Sequence, residues 1–115
     1  SPDEDLLKLL EQIKQYVENW NTHFKQKRIL HLDHKIPNVL CFKDSETEHQ
    51  SIMPIDSLRG NKKGFMTTKG PAGSWGSMAP EIARASQENP VKVRPIHDIK
   101  SICYFLISLL LKKPF

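Results

Sequence analysis

The chain lacks the features that mark several classes of protein. It has two cysteines among 115 residues, and Cys41 and Cys103 lie far apart in apolar stretches. This pattern predicts two buried free thiols rather than a disulfide, as is usual in a reducing compartment. The five histidines are not spaced with cysteines or acidic residues as zinc ligands are, so we expect no zinc site.

Long apolar runs and a basic leader are also absent. The most apolar run, ICYFLISLLL, covers residues 102–111, and a membrane-spanning helix needs about 20 residues. The N-terminal SPDEDLL is acidic where a signal peptide is basic. We therefore expect no membrane span and a cytoplasmic protein, or one in the host cytosol if it is a pathogen effector.

The charge pattern argues against a nucleic-acid partner. The net charge is +4, but the lysines are scattered and do not form a basic stripe interleaved with aromatic residues. The surface favours anionic ligands or acidic partners without further specificity. With 38% hydrophobic and 26% charged residues, the composition is that of one modest soluble domain.

Apolar periodicity predicts a mainly α chain with one small β-hairpin. Residues 1–24 carry apolar side chains at intervals of three and four, which predicts an amphipathic helix. Ser1 is the expected N-cap, and Glu4 would complete a capping box with it. Two apolar stretches predict a hairpin over 39–56 with a buried first strand, and Pro54 would keep the second strand at an edge.

The second half of the chain predicts loops around two helices. Residues 57–78 and 86–95 show no helical or strand period and predict loops, with a short helix at 79–85 between them. A buried helix is predicted over 98–112, because it is apolar on nearly every face. Since little of the sequence is left to cover that helix, we expect the chain to be a piece of a larger domain.

One polar stretch, HLDHKIPNVL, suggests chemistry. Its first part, residues 31–38, reads H-x-D-x-K-x-x-N. Phosphoryl transfer needs a carboxylate near the acceptor hydroxyl, a cation near the phosphate and an oxygen ligand for magnesium. Asp33, Lys35 and Asn38 would supply all three from one loop. The alternative is a solvated polar turn.

A second carboxylate would complete a magnesium site. Asp56 follows a predicted strand, and Mg²⁺ prefers one or two carboxylates together with phosphate oxygens. Asp44 is the rival, but it lies too near Asn38 to leave room for a hairpin. For Asp56 too, the alternative is a turn carboxylate.

Three motifs resemble those of the protein kinases and occur in that family's order. Residues 31–40 resemble the catalytic loop HRDLKPENIL, and GSWGSMAPE at 73–81 resembles GTPGYMAPE. DIKSICYFL, from Asp98, resembles the D-x-W-S-x-G opening of the central helix of the C-lobe. The resemblance implies part of a divergent kinase C-lobe of the serine/threonine type, with a catalytic loop at 31–38 and an activation segment at 56–81.

The resemblance implies a role for each residue that matches a motif position. Asp33 would accept the proton of the substrate hydroxyl, and Lys35 would contact the γ-phosphate of ATP. Asn38 and Asp56 would bind Mg²⁺. Leu40 would pack against the adenine ring.

Two further residues would hold the catalytic loop in place. His31 would orient the loop, and Asp98 would anchor it by accepting hydrogen bonds near His31. His34 replaces an apolar residue of the family, and we expect it to be half exposed.

The segment 73–81 would contribute two supporting residues. Ser74 lies where kinases place a threonine that hydrogen-bonds the catalytic aspartate and lysine. Glu81 matches a glutamate that pairs with an arginine late in the C-lobe, and the chain ends before any such residue. Trp75 is either a packing residue or part of a peptide-binding shelf.

The departures from the family pattern define the alternatives. Leu32 replaces the arginine of H-R-D, Asp56-Ser57-Leu58 replaces D-F-G, and Lys100 replaces the tryptophan of the central helix. We expect a kinase that transfers the γ-phosphate of Mg²⁺-ATP to a protein substrate once an N-lobe completes the cleft, with a regulatory protein as a further partner. The alternatives are a weak or inactive pseudokinase that binds a partner protein, and an unrelated helical binding domain.

Overall fold

The fold is helix-rich, and the described residues form two small two-stranded antiparallel sheets. A computed structural model describes residues 1–43, 45–46, 50–58, 64 and 66–111. The rival carboxylate Asp44, parts of the predicted activation segment, and the predicted helix end at Lys112 lie outside these residues. Within the described ranges, no helix combines the length and apolar content that a membrane span requires.

The first helix, α1, spans Pro2–His23, close to its predicted bounds. Ser1 is its N-cap, and the backbone N–H of Glu4 donates to Ser1 Oγ at 3.3 Å. Only the C-terminal half of its apolar face is covered, with Tyr16 and Trp20 buried. The leucines nearer the N-terminus, Leu6, Leu7 and Leu10, are exposed.

The predicted hairpin is present next to the loop 31–38. Strand β1 (Val39–Lys43) pairs with β2 (Gln50–Pro54) in antiparallel register, with Val39 opposite Pro54. The helix α1 packs against β2, and Asn19 Nδ2 donates to the Ile52 carbonyl at 2.9 Å. The predicted burial of the first strand was wrong, because only one of its faces meets the core and Leu40 and Phe42 are exposed.

The last helix, α3, spans Pro95–Leu111 and begins one turn before its predicted start. Pro95 suits a first helical position, and the N–H of Arg94 donates to His97 Nδ1 at 3.0 Å, as in a capping box. Asp98 therefore lies in the first turn, where the helix dipole favours a carboxylate.

The predicted burial of the last helix was too extensive. Its buried residues are His97, Asp98, Ser101, Ile102 and Phe105. The helix contacts α1 through Asp98, Ile102 and Phe105. Ile107, Leu110 and Leu111 on the other side are exposed. Cys103 and Cys41 are free thiols, as predicted, but both are exposed, so their predicted burial was also wrong.

Two of the predicted loops pair with each other. Strand β3 (Thr67–Thr68) and strand β4 (Val91–Lys92) form a short antiparallel ladder, which the N–H of Val93 extends by donating to the Met66 carbonyl at 2.7 Å. Between them lies the short helix α2, Pro80–Ala83. A two-residue strand is too short to show alternation, so the sequence could not indicate this ladder.

Two apolar clusters enclose residues 31–38, here called the polar loop, between them. One joins α1 to α3 and contains Tyr16, Trp20, Phe24, Ile29, Ile102 and Phe105. The other joins the polar loop to α2 and contains Leu30, Leu32, Ala79, Ile82 and Val93. The polar loop therefore lies where the two cores meet, and its buried polar atoms need internal partners.

Candidate active site

Three of the predicted site residues meet around the carboxylate of a fourth, Asp33. Ser74 Oγ donates a hydrogen bond to Asp33 Oδ1 at 2.5 Å. Asn38 Nδ2 donates to Asp33 Oδ2 at 3.0 Å, and the Lys35 ammonium lies 3.6 Å from that same oxygen. Asp33, Lys35, Asn38 and Ser74 are here called the Asp33 cluster. Ser74 reaches it from 41 residues away along the chain.

The polar loop itself builds most of this cluster. A 3-10 turn over Ile36–Asn38 bends the chain back, so that Asn38 Nδ2 also donates to the Asp33 carbonyl at 2.9 Å. Because the amide nitrogen of Asn38 faces Asp33, its oxygen Oδ1 points away from that carboxylate. The Asp33 side chain is 15% exposed and that of Lys35 is 42% exposed, so the cluster opens to solvent at the lysine.

Ser74 is positioned by a close contact between two backbones. Gly73 has a φ of 110°, and a Cβ atom placed on it would lie 2.3 Å from the carbonyl oxygen of Leu32. Leu32 itself is left-handed, with a φ of 67°, which is uncommon for a residue with a side chain. The absence of a side chain at Gly73 lets the segment 73–81 reach the polar loop.

The carboxylate of Asp98 anchors the start of the polar loop, as predicted. It accepts hydrogen bonds from the backbone N–H of His31 at 2.8 Å and of Leu32 at 3.2 Å. Trp20 Nε1 donates to it at 2.9 Å, and His34 Nε2 donates to its other oxygen. Asp98 is fully buried, and its carboxylate accepts four hydrogen bonds from within the protein.

The pKa of Asp98 follows from these contacts. Burial is the largest single influence and would raise it, but the hydrogen bond from His34, together with the donors from His31 and Trp20, outweighs burial and lowers the pKa. Asp98 thus stays ionised inside the core, which a buried carboxylate achieves only with donors on both oxygens.

His34 contacts Asp98, the residue that anchors the polar loop, and the sequence did not indicate this contact. It was expected to be half exposed, but it is fully buried, and the Tyr16 hydroxyl donates to its Nδ1 at 2.6 Å. Its Nε2 reaches Asp98. Burial raises the pKa of Tyr16 far above its usual range, and the charge of Asp98 adds to that effect. The only sequence signal was a polar residue at an apolar position of the family.

His31 orients the loop through both of its ring nitrogens. Because a carbonyl only accepts, Nε2 carries the proton that it donates to Ile55 O at 2.7 Å, and Nδ1 accepts from the N–H of Asp33 at 3.0 Å. The ring also stacks on His34, with centroids 4.3 Å apart. Burial, followed by the neighbouring His34, lowers the pKa of His31 from 6.5 to about 4.

Acidification should therefore destabilise the fold through His31. Between its unfolded pKa of 6.5 and its folded pKa of about 4, only the unfolded state binds the proton, so stability falls as the pH falls through this window. The shift corresponds to about 3 kcal/mol by pH 4. His97, whose pKa burial also lowers, acts in the same direction.

Urea unfolding at pH 7 and at pH 4.5 measures this loss. In His31→Gln the difference between the two pH values should shrink, whereas in the matched variant His23→Gln, at the exposed end of α1, it should persist. An unchanged pH dependence in His31→Gln would contradict the assignment.

Asp56 adjoins the Asp33 cluster through the backbone. The N–H of Ile55 donates to the Asn38 carbonyl at 2.9 Å, which fixes the residue before Asp56 against the polar loop. The side chain of Asp56 is exposed on left-handed backbone with a φ of 53°, and it lines a cleft with His23 and Lys27. Among the described contacts it makes no hydrogen bond or ion pair to the cluster, so its pairing with Asn38 around a metal stays a prediction.

The described residues contain no cluster of three or more His, Cys, Asp and Glu side chains that could hold a metal. One carboxylate and one amide oxygen, from Asp56 and Asn38, are the kind of donors that Mg²⁺ takes together with phosphate oxygens. Leu40 is 43% exposed on β1 and is available to contact a ligand.

Within segment 73–81, Glu81 has surroundings that were not expected, and the exposure of Trp75 excludes one of its two alternatives. Glu81 pairs with a cation inside this chain: its Oε1 accepts a hydrogen bond from the ammonium of Lys100 on α3. That contact is the largest cause of the lowered pKa of Glu81. Lys100, which the sequence marked only as a departure, thus ties α2 to α3. Trp75 is 70% exposed, so it is not a packing residue within the described fold.

No protein-family model matches the chain, and no curated protein or solved structure is significantly similar to it. We therefore base the functional proposal on the geometry of the described residues.

Proposed function

We propose that the chain is part of a protein serine/threonine kinase whose hydroxyl-activating group is Asp33. One observation carries the proposal: Ser74, Asn38 and Lys35 converge on the two oxygens of this carboxylate. Water satisfies the carboxylate of a solvated turn, which needs no hydrogen bond from a serine in a distant segment. Here the donors fix the orientation of the carboxylate before a substrate binds.

Each residue of the Asp33 cluster would have a role in phosphoryl transfer. The hydroxyl oxygen of a serine or threonine forms a bond to the γ-phosphorus, the bond from that phosphorus to the β,γ-bridging oxygen breaks, and ADP leaves. Asp33 accepts the hydroxyl proton, and Lys35 neutralises charge on the transferred group. Ser74 and Asn38 Nδ2 hold the carboxylate in place.

Mg²⁺-ATP is the proposed second substrate. Bound Mg²⁺ would supply charge neutralisation to the phosphate oxygens. Asn38 Oδ1 and Asp56 would hold the cation, and Leu40 would meet the adenine ring. In this proposal the activity needs a nucleotide-binding N-lobe in addition to this chain, and the protein acts in the cytoplasm on a protein substrate, with a regulatory protein partner.

A kinase-mimic module is the second candidate, and the position of Asp56 favours it. Asp56 is exposed, lines a cleft with His23 and Lys27, and is followed by Ser57-Leu58. A module of this kind would keep the Asp33 cluster as a structural feature and bind a partner protein without turnover.

Phosphate transfer from Mg²⁺-ATP by the intact protein separates the two candidates. Asp33→Asn, which keeps the shape of the side chain, should lower transfer by about 10²–10⁴-fold, and Asp56→Asn should also lower it. The matched change Asp3→Asn, on the exposed first turn of α1, should leave transfer unchanged.

Three other results would point elsewhere. Full transfer by Asp33→Asn would show that another group activates the hydroxyl. Partner binding without transfer, and without Mg²⁺-ATP raising the melting temperature, would support the mimic. No nucleotide effect and no partner binding would favour an unrelated helical domain.

A further inference from the structure

A cavity separate from the Asp33 cluster opens beside the end of α1. Its volume is about 390 Å³, within the range of small-molecule sites in proteins. Trp20, Ile29, Leu30 and Pro95 give it apolar walls. The first three are at least 93% buried, so the walls belong to the core and not to a surface patch.

Two cations and Gly64 also line this cavity. Lys25 and Arg28 lie at the two ends of one tight turn, in which the N–H of Arg28 donates to the Lys25 carbonyl at 3.0 Å. Both side chains are exposed. No acidic residue is among the described residues that line the cavity, and no carboxylate in the described ranges forms an ion pair with either cation.

Hydrogen bonds on both sides hold the cavity in shape. The indole of Trp20 is fixed by its bond to Asp98 at 2.9 Å. The backbone at Arg28 is left-handed, with a φ of 57°, and its carbonyl accepts from the N–H of Gly64 at 2.8 Å. A site that is formed before binding loses little free energy to ordering when a ligand enters.

We propose that this cavity binds a small organic anion: an apolar ring or short chain that carries one carboxylate. The apolar walls would cover the body of such a ligand, since burial of apolar surface is favourable. The carboxylate would face Lys25 and Arg28 at the rim, where the Arg28 guanidinium can donate two parallel hydrogen bonds to it. A cationic or strongly polar ligand would find neither a counter-charge nor enough polar partners.

A titration of the ¹⁵N-labelled full chain with 1-naphthoate tests the site. The chain has two tryptophans, so its spectrum contains two indole N–H signals, which Trp75→Phe assigns. The Trp20 signal should shift and saturate at millimolar naphthoate or below. The Trp75 signal, from an indole that is 70% exposed, should move little.

Charge variants separate this site from general apolar binding. Lys25→Gln with Arg28→Gln should weaken naphthoate binding by about tenfold, the combined size of two partly exposed ion pairs. The matched pair Lys8→Gln with Lys14→Gln, on the exposed face of α1, should bind as the original chain does. The neutral analogue 1-naphthalenemethanol should bind several-fold more weakly than naphthoate.

Two outcomes would overturn the proposal. One is the absence of a saturable Trp20 shift up to about 5 mM naphthoate, which corresponds to a binding free energy weaker than roughly 3 kcal/mol. The other is equal binding by the Lys25/Arg28 variant and the original chain, because the cations would then play no part.

Discussion

Replacing Asp98 with alanine is expected to lower the free energy of unfolding by about 3–5 kcal/mol, the cost of removing one partner from a buried charged network. Four donors, from Trp20, His31, Leu32 and His34, would lose their acceptor inside the core. A domain of this size has a total stability of about 5–15 kcal/mol, so the variant should be close to unfolding. Urea denaturation measures the change.

Asp98→Asn makes the same test with little change in volume. Each carboxylate oxygen of Asp98 accepts two donors, so in either orientation the amide NH₂ would face N–H groups. We expect a loss of about 2–3 kcal/mol. Asp56→Asn, at an exposed carboxylate, is the control and should change stability by less than about 0.5 kcal/mol. Equal stability of the two asparagine variants would contradict the role of Asp98 as an anchor.

Replacing Gly73 with alanine is expected to cost about 2–4 kcal/mol, because a left-handed backbone strain is added to a steric clash. The new Cβ would lie 2.3 Å from the Leu32 carbonyl, and the φ of 110° disfavours any side chain. The two backbones would have to separate, which would also withdraw Ser74 from Asp33. Urea denaturation again measures the effect.

Gly70→Ala is the matched control for this change. A Cβ at Gly70 meets no atom within 4 Å and the backbone there does not have a positive φ. Its stability should change by less than about 0.5 kcal/mol or rise slightly, because alanine restricts the unfolded chain. If Gly73→Ala were as stable as Gly70→Ala, the close approach of the two segments would be wrong.

Local sequence features predicted the elements that depend on neighbouring residues. The capping box of Ser1 and Glu4 and the apolar spacing gave α1 to within one residue at each end. The hairpin was indicated by two apolar stretches flanking a polar one, and β1 and β2 are there. These signals act over a few residues, so the sequence contains them directly.

Burial was predicted less well than the elements themselves. An apolar helix was taken to be covered on all sides, but α3 packs through one face, and Ile107 and Leu110 are exposed. Cys41 is also exposed, although it lies on the same face of β1 as Val39, which packs against the core. Which face is covered depends on what other segments pack there, and periodicity within one segment does not carry that information.

The amino-acid sequence by itself determined that a carboxylate, a cation and an amide lie within one short loop, because Asp33, Lys35 and Asn38 are neighbours in the chain. Only the tertiary structure decided which groups complete the site. Ser74 reaches Asp33 because Gly73 leaves room for the Leu32 carbonyl, and His34 is buried because Asp98 and Tyr16 satisfy both of its nitrogens. The physical reason is that a buried polar group needs a partner, and that partner can come from any distance along the chain.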